Sequence, residues 1–95
     1  MVLSHETKYY LEDGCAAVEN MLVAATALGL GTCWVAGDKK QYSHQIVTLL
    51  KAPNNFRLIA LVPIGFAAKN RPPHEKRPLD IVLYWNEYNT SITGT

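Results

Sequence analysis

Residues 13–37 read DGCAAVENMLVAATALGLGTCWVAG, and the order of signals in that stretch decides the fold. From Gly14 to Leu28 the run is rich in Ala, Leu, Met and Glu, with Asp13 placed to cap its start and Gly29 its end. The stretch therefore predicts a helix. Cys15, Val18, Met21, Leu22, Ala25 and Leu28 form one apolar stripe, while Ala16, Ala17, Val23, Ala24 and Ala27 make the other side apolar too. Only Glu19, Asn20 and Thr26 interrupt it. Such a helix demands burial nearly all round, more cover than 95 residues supply, so further sequence or a partner subunit is expected over the rest. After the turn Gly29-Leu30-Gly31, Thr32 to Ala36 is β-branched and aromatic and stops at Gly37-Asp38, which predicts a short buried strand.

Working outward, Lys40 to Lys51 places Tyr42, Ile46, Leu49 and Leu50 at helical spacing, and Ala52-Pro53-Asn54-Asn55 stops that second helix. Arg57 then opens Leu58 to Phe66, an apolar run without alternation, as in a strand buried on both faces. Pro63 removes one ladder donor, so the second half of that strand is expected at an edge or bulge. Residues 67–78 form a polar loop, and Leu79 to Tyr88 reads as a short helical turn or a terminal strand. Upstream, residues 1–12 are polar without clear periodicity, although Tyr9-Tyr10-Leu11 can staple the first helix. The expected organisation is an N-terminal polar segment (1–12), a folded body (13–88) and a tail (89–95), frayed or wrapped on a neighbour. Helix, strand, helix, strand in this order is mixed α/β with a three-layer tendency.

Nine Lys plus Arg against eight Asp plus Glu, a net charge of +1 and no long basic run offer nothing to nucleic acid or an anionic membrane. Met21 to Gly37 is uncharged but glycine-broken and too short for the roughly 20 apolar residues of a span. No apolar h-region follows Met1, so no secretory signal is expected, and two cysteines without C-x-x-C spacing suit a reducing, cytoplasmic setting.

Gly29-Leu30-Gly31 is not a dinucleotide fingerprint, because Trp34 stands where the third glycine belongs and the order is helix to strand. His5, His44 and His74 lack ligand spacing, so no metal is expected. Cys33, beside Trp34 in a buried strand, reads as a packed thiol, and nothing supports a nucleophile or a catalytic residue. Two features remain, each with two readings. The loop Lys69-Asn70-Arg71-Pro72-Pro73-His74-Glu75-Lys76-Arg77 is either a phosphate grip or a solvated basic loop. Val35-Ala36-Gly37 is either a strand end where backbone N–H groups approach a flat ligand, or a plain turn.

Together, residues 13–25, Leu28 to Gly37, Ala60 to Phe66 and Lys76-Arg77-Pro78-Leu79 resemble the C-terminal half of the flavin-dependent nitroreductase family. The resemblance covers about three-quarters of the chain, in family order, and LGLGTCW, PIGF and KRPL carry most of it. It implies an α+β fold whose subunits interlock through long helices, FMN as cofactor and a site at a homodimer interface. It implies hydride transfer from NAD(P)H to flavin N5, and onward to a nitro, quinone or similar acceptor. Matched residue by residue, Val35, Ala36 and Gly37 would lie beside the flavin ring, with the Gly37 N–H facing N5, and Arg77 with Lys76 would hold the phosphate. Ala36 stands where many members carry an acid, and members are about twice as long. The missing N-terminal half is expected from a partner chain; the alternative is a truncated, non-catalytic dimeric interaction module, or one half of a split flavoprotein.

Overall fold

The computed structural model describes residues 1–91. Its elements run β1 (Val2–His5), α1 (Tyr10–Ala27), β2 (Gly31–Thr32), β3 (Val35–Ala36), α2 (Ser43–Leu49), β4 (Phe56–Leu61), β5 (Ile64–Gly65) and a 3-10 turn at Leu79–Ile81. β4 is the centre of an antiparallel sheet ordered β1-β4-β3, and β2 pairs with β5 in a second ribbon. Leu58, Ile59 and Ala60 are consecutive and all buried. Because neighbouring side chains on a strand point to opposite faces, both faces of β4 are covered, as its unalternating sequence predicts.

α1 begins at Tyr10, four residues before the expected start, and Asp13 sits in its first turn rather than at the cap. Tertiary contact explains the extension: Tyr10 and Leu11 pack on the core of Val18, Ile59 and Ala60, which outweighs the lack of a capping side chain at Tyr9. Gly14 is required mid-helix because a Cβ there would lie 2.4 Å from Ile59 Cγ1, so helix and strand pack closely at this point. At the other end Gly29 adopts φ +78°. Leu30 N–H reaches the Ala25 carbonyl at 2.9 Å and Gly29 N–H that of Thr26 at 3.0 Å, a Schellman closure of the expected kind.

The two strands read from sequence as continuous are each cut in two. Gly31 pairs with Gly65 and Thr32 with Ile64, and then Val35 pairs with Leu61 and Ala36 with Ala60. The register runs on unbroken across the gap, which puts Pro63 opposite Cys33 and Val62 opposite Trp34. Pro63 has no N–H to give the ladder, so the ribbon opens there. Cys33 is consequently exposed rather than packed in a buried strand. β1 was not anticipated within the polar first twelve residues; it pairs with β4, with an irregularity between Val2 and Leu3. α2 is shorter at both ends than its periodicity suggests. Residues 79–81 take the helical option. Of the expected tail, residues 92–95 lie outside the described residues.

Only Gly14, Val18 and Ala25 of α1 are buried. Val23 is 60% exposed, and Ala16, Ala17, Ala24 and Ala27 are exposed with it, so the chain leaves the second apolar face of its long helix bare. The radius of gyration, 17.7 Å, exceeds the about 12 Å of a compact domain of this length. Residues 68–83 accordingly form an exposed arm.

Candidate functional site

β3 presents Val35 and Ala36 at the surface, on an edge of the sheet. Gly37, which follows, is buried. A Cβ at Gly37 would lie 2.7 Å from Leu58 Cγ and 2.9 Å from the Ile59 carbonyl oxygen. The glycine is therefore required by packing on β4, whatever ligand the strand end meets. The Tyr42 hydroxyl donates to the Ala36 carbonyl, and Lys40 N–H donates to the Gly37 carbonyl at 3.2 Å.

Behind the strand end lies a polar cluster that the sequence reading passed over. Asp38, its side chain 8% exposed, receives Arg57 Nη2 at 3.1 Å and the Tyr10 hydroxyl at 3.1 Å. Arg57 also approaches Glu6 at 3.5 Å and lies over the Tyr10 ring, 5.3 Å from its centroid. The exit of β3 is thereby fastened to the start of α1, to β4 and to the residue after β1. The Arg57–Glu6 contact, open to water on both sides, contributes little, whereas the sheltered Asp38 needs its partners. The sequence signal was present in Gly37-Asp38, which composition alone reads as a turn; Arg57 and Tyr10 lie too far away in sequence to be linked to it.

Burial raises the Tyr10 phenol above its ordinary value of 10.0, and the hydrogen bond to Asp38 and that carboxylate's charge add to the rise against the opposing Arg57. An unfolded tyrosine ionises near 10 while the folded one still holds its proton, so the unfolded state binds fewer protons in that window. This contribution is fully present below pH about 10 and is lost as pH rises through the higher folded value. Tyr10→Phe is expected to flatten the alkaline fall in stability, measured as urea midpoints at pH about 9 and about 11. An identical fall in both proteins refutes the link.

Lys76 and Arg77 stand exposed in the arm just before the 3-10 turn, with Pro78 at its cap. Among the described residues neither takes part in an ion pair, and no hydrogen bond joins them to Val35, Ala36 or Gly37. The structure thus brings the strand-end trio together and leaves the two cations apart from it. An open, largely apolar groove of about 410 Å³ runs along the β2–β5 ribbon past Cys33, Pro63, Ile64 and Phe66, and none of the five candidate residues lines it. Among the described residues no cluster of His, Cys, Asp and Glu suits a metal, and no helix is long and apolar enough to cross a membrane. The small, exposed end of β3 is compatible with a planar ring and the two unpaired cations with a phosphate, each taken by itself.

Residues 4–66 match the family model described as "Nitroreductase family". The chain belongs to the nitroreductase family. Among relatives of this nitroreductase-family chain, "FMN reductase (NADPH)" of Bacillus subtilis (strain 168) is 26% identical over 81 residues, covering 85% of this chain and 32% of that protein. "CR(VI) reductase" of Pseudomonas sp. (strain G-1) is 31% identical over 72 residues, covering 76% and 29%. The fold is that of a Bacteroides thetaiotaomicron crystal structure, provisionally described as an NADH dehydrogenase/NAD(P)H nitroreductase. That likeness has a TM-score of 0.83 at 25% identity and covers 90% of this chain and 52% of the other. The chain therefore spans about a third of these curated relatives and about half of that solved structure. It carries part of an α+β nitroreductase fold. The matched segment contains Val35, Ala36 and Gly37 and stops short of Lys76 and Arg77.

Proposed function

We propose that this chain is the C-terminal part of an FMN-dependent NAD(P)H oxidoreductase. The observation that carries the reading is the exposed end of β3, inside the family match, with its backbone held from behind by side chains. The names of the relatives, one an FMN reductase, agree with it. Val35 and Ala36 offer a flat, small surface for the ring, the Gly37 N–H is the donor for N5, and Arg77 with Lys76 neutralises the phosphate. When bound, the flavin supplies the redox chemistry, taking hydride from a nicotinamide and returning electrons to a nitro, quinone or similar acceptor. No side chain of this chain is assigned as acid or base.

The remaining contacts come from a second copy or from a chain that supplies the N-terminal half. The bare face of α1 supports this, since Val23 and its alanine neighbours remain uncovered. Free Cys15 and Cys33 agree with a reducing, cytoplasmic setting. The same bare face favours a second reading, a non-catalytic dimeric module. Titration of the purified chain with FMN separates the two. Saturable binding, weakened about tenfold or more by Arg77→Ala through loss of a charge-assisted contact, is the expected result. Flavin affinity unchanged by Arg77→Ala removes that residue from the site, and a chain that never takes FMN leaves the module reading or requires a co-purifying second polypeptide.

A further inference from the structure

The peptide joining Ala36 to Gly37 is trans, so its C=O and N–H point in opposite directions within one plane. Tyr42 donates its hydroxyl to that carbonyl. Whatever holds the Ala36 carbonyl also aims the Gly37 N–H, which is directed away from Tyr42. The next peptide is tied as well. Its carbonyl, that of Gly37, accepts Lys40 N–H at 3.2 Å, and the Asp38 side chain that follows is held at 3.1 Å by both Arg57 and Tyr10. Glycine has the widest backbone freedom of any residue, so a strand end that turns on one needs its peptide planes fixed from outside. Here both planes flanking Gly37 are fixed, one by a residue at the head of α2 and the other by an anchor reaching α1 and β4.

We propose that Tyr42 and Asp38 are positioning residues for the Gly37 amide and together aim its N–H at the flavin ring. The flavin part rests on the function proposed above; the aiming of the amide does not. Neither side chain is required to touch the cofactor. Tyr42 acts through the Ala36 carbonyl, and Asp38 acts by locking the chain immediately after Gly37. The two act on adjacent peptide planes, so neither can substitute for the other.

The test uses the 95-residue chain, isotopically labelled and free of flavin, as wild type, Tyr42→Phe and Asp38→Asn. The N–H residual dipolar coupling and amide shift of Gly37 are expected to change in both variants, while the amides of Leu58 and Ala60 keep their values. Tyr9→Phe, at an exposed tyrosine, is expected to change neither. A Gly37 coupling unchanged in both variants overturns the proposal. Should Asp38→Asn unfold, Tyr42→Phe, which deletes only a hydroxyl from a half-buried ring, decides alone. FMN titration then addresses the flavin part: each variant is expected to bind about fivefold more weakly, the loss of one hydrogen bond, with a moved flavin absorption band. An altered coupling with unaltered FMN affinity and band sinks the flavin-facing assignment and leaves the amide's aim standing. Absence of FMN binding by the wild type points to the module reading or to a co-purifying second polypeptide, as above, and the coupling still decides this inference.

Discussion

Leu58→Ala is expected to destabilise the chain by about 3 kcal/mol, within the range for large-to-small changes at fully buried sites. Leu58 is 0% exposed in the central strand β4, and only five other apolar residues are buried among the described ones: Val18, Ala25, Val47, Ile59 and Ala60. So small a core cannot close readily over a lost isobutyl group. Domains of this kind are stable by about 5–15 kcal/mol, so the substitution removes a large fraction of what holds the fold. A urea or thermal midpoint measures the effect, with Leu49→Ala as the control. Leu49 belongs to the helical stripe read from sequence but is 71% exposed, and its truncation is expected to stay within about 0.5 kcal/mol. Equal midpoints for wild type and Leu58→Ala would remove β4 from the centre of the core.

The contrast between Leu58 and Leu49 indicates which parts of the fold were legible. An apolar run without alternation, Leu58 to Leu61, that is β-branched in part and too short for a helix reads as a strand covered on both faces. Helical spacing in Lys40 to Lys51 predicts a helix but not how much of its stripe finds a partner, and Leu49 and Leu50 find little. Likewise α1 was legible as a helix with two apolar faces. Its start was not, since Tyr10 is fixed by Asp38 and Arg57, far along the chain. Pro63 signalled a defect in its own strand. That the defect also opens the opposite strand at Cys33 and Trp34 depends on the register, which no single strand encodes.

The candidate site divides in the same way. Val35-Ala36-Gly37 is a local motif, with Val35 and Ala36 exposed on β3 and Gly37 buried after them. Its supports, Asp38, Tyr42 and Arg57, come from a turn, a helix start and the neighbouring strand, and they act through hydrogen bonds with no sequence period. The proposed phosphate side rests on Lys76 and Arg77, which no hydrogen bond or ion pair among the described residues joins to the strand end.

Gly37→Ala is expected to cost about 2–3 kcal/mol, the scale of overpacking in a closed core. The added methyl would stand 2.9 Å from the carbonyl oxygen and 3.0 Å from the carbonyl carbon of Ile59, and 2.7 Å from Leu58 Cγ. A flexible side chain can move aside, but two of these three atoms are backbone of the central strand. The relief available is for β3 to retreat from β4, loosening the pairs Val35 with Leu61 and Ala36 with Ala60. Amide exchange at Ala36 and Ala60 should therefore accelerate along with the fall in the thermal midpoint. Gly65→Ala supplies the comparison, because a Cβ there meets nothing within 4 Å, and its effect is expected within about 0.5 kcal/mol. If the two alanine variants melt together, the packing of Gly37 on β4 is not what requires a glycine. If Gly37→Ala melts early and also loses FMN, retreat of β3 accounts for both, because β3 leads into Gly37 and also carries the surface proposed for the ring.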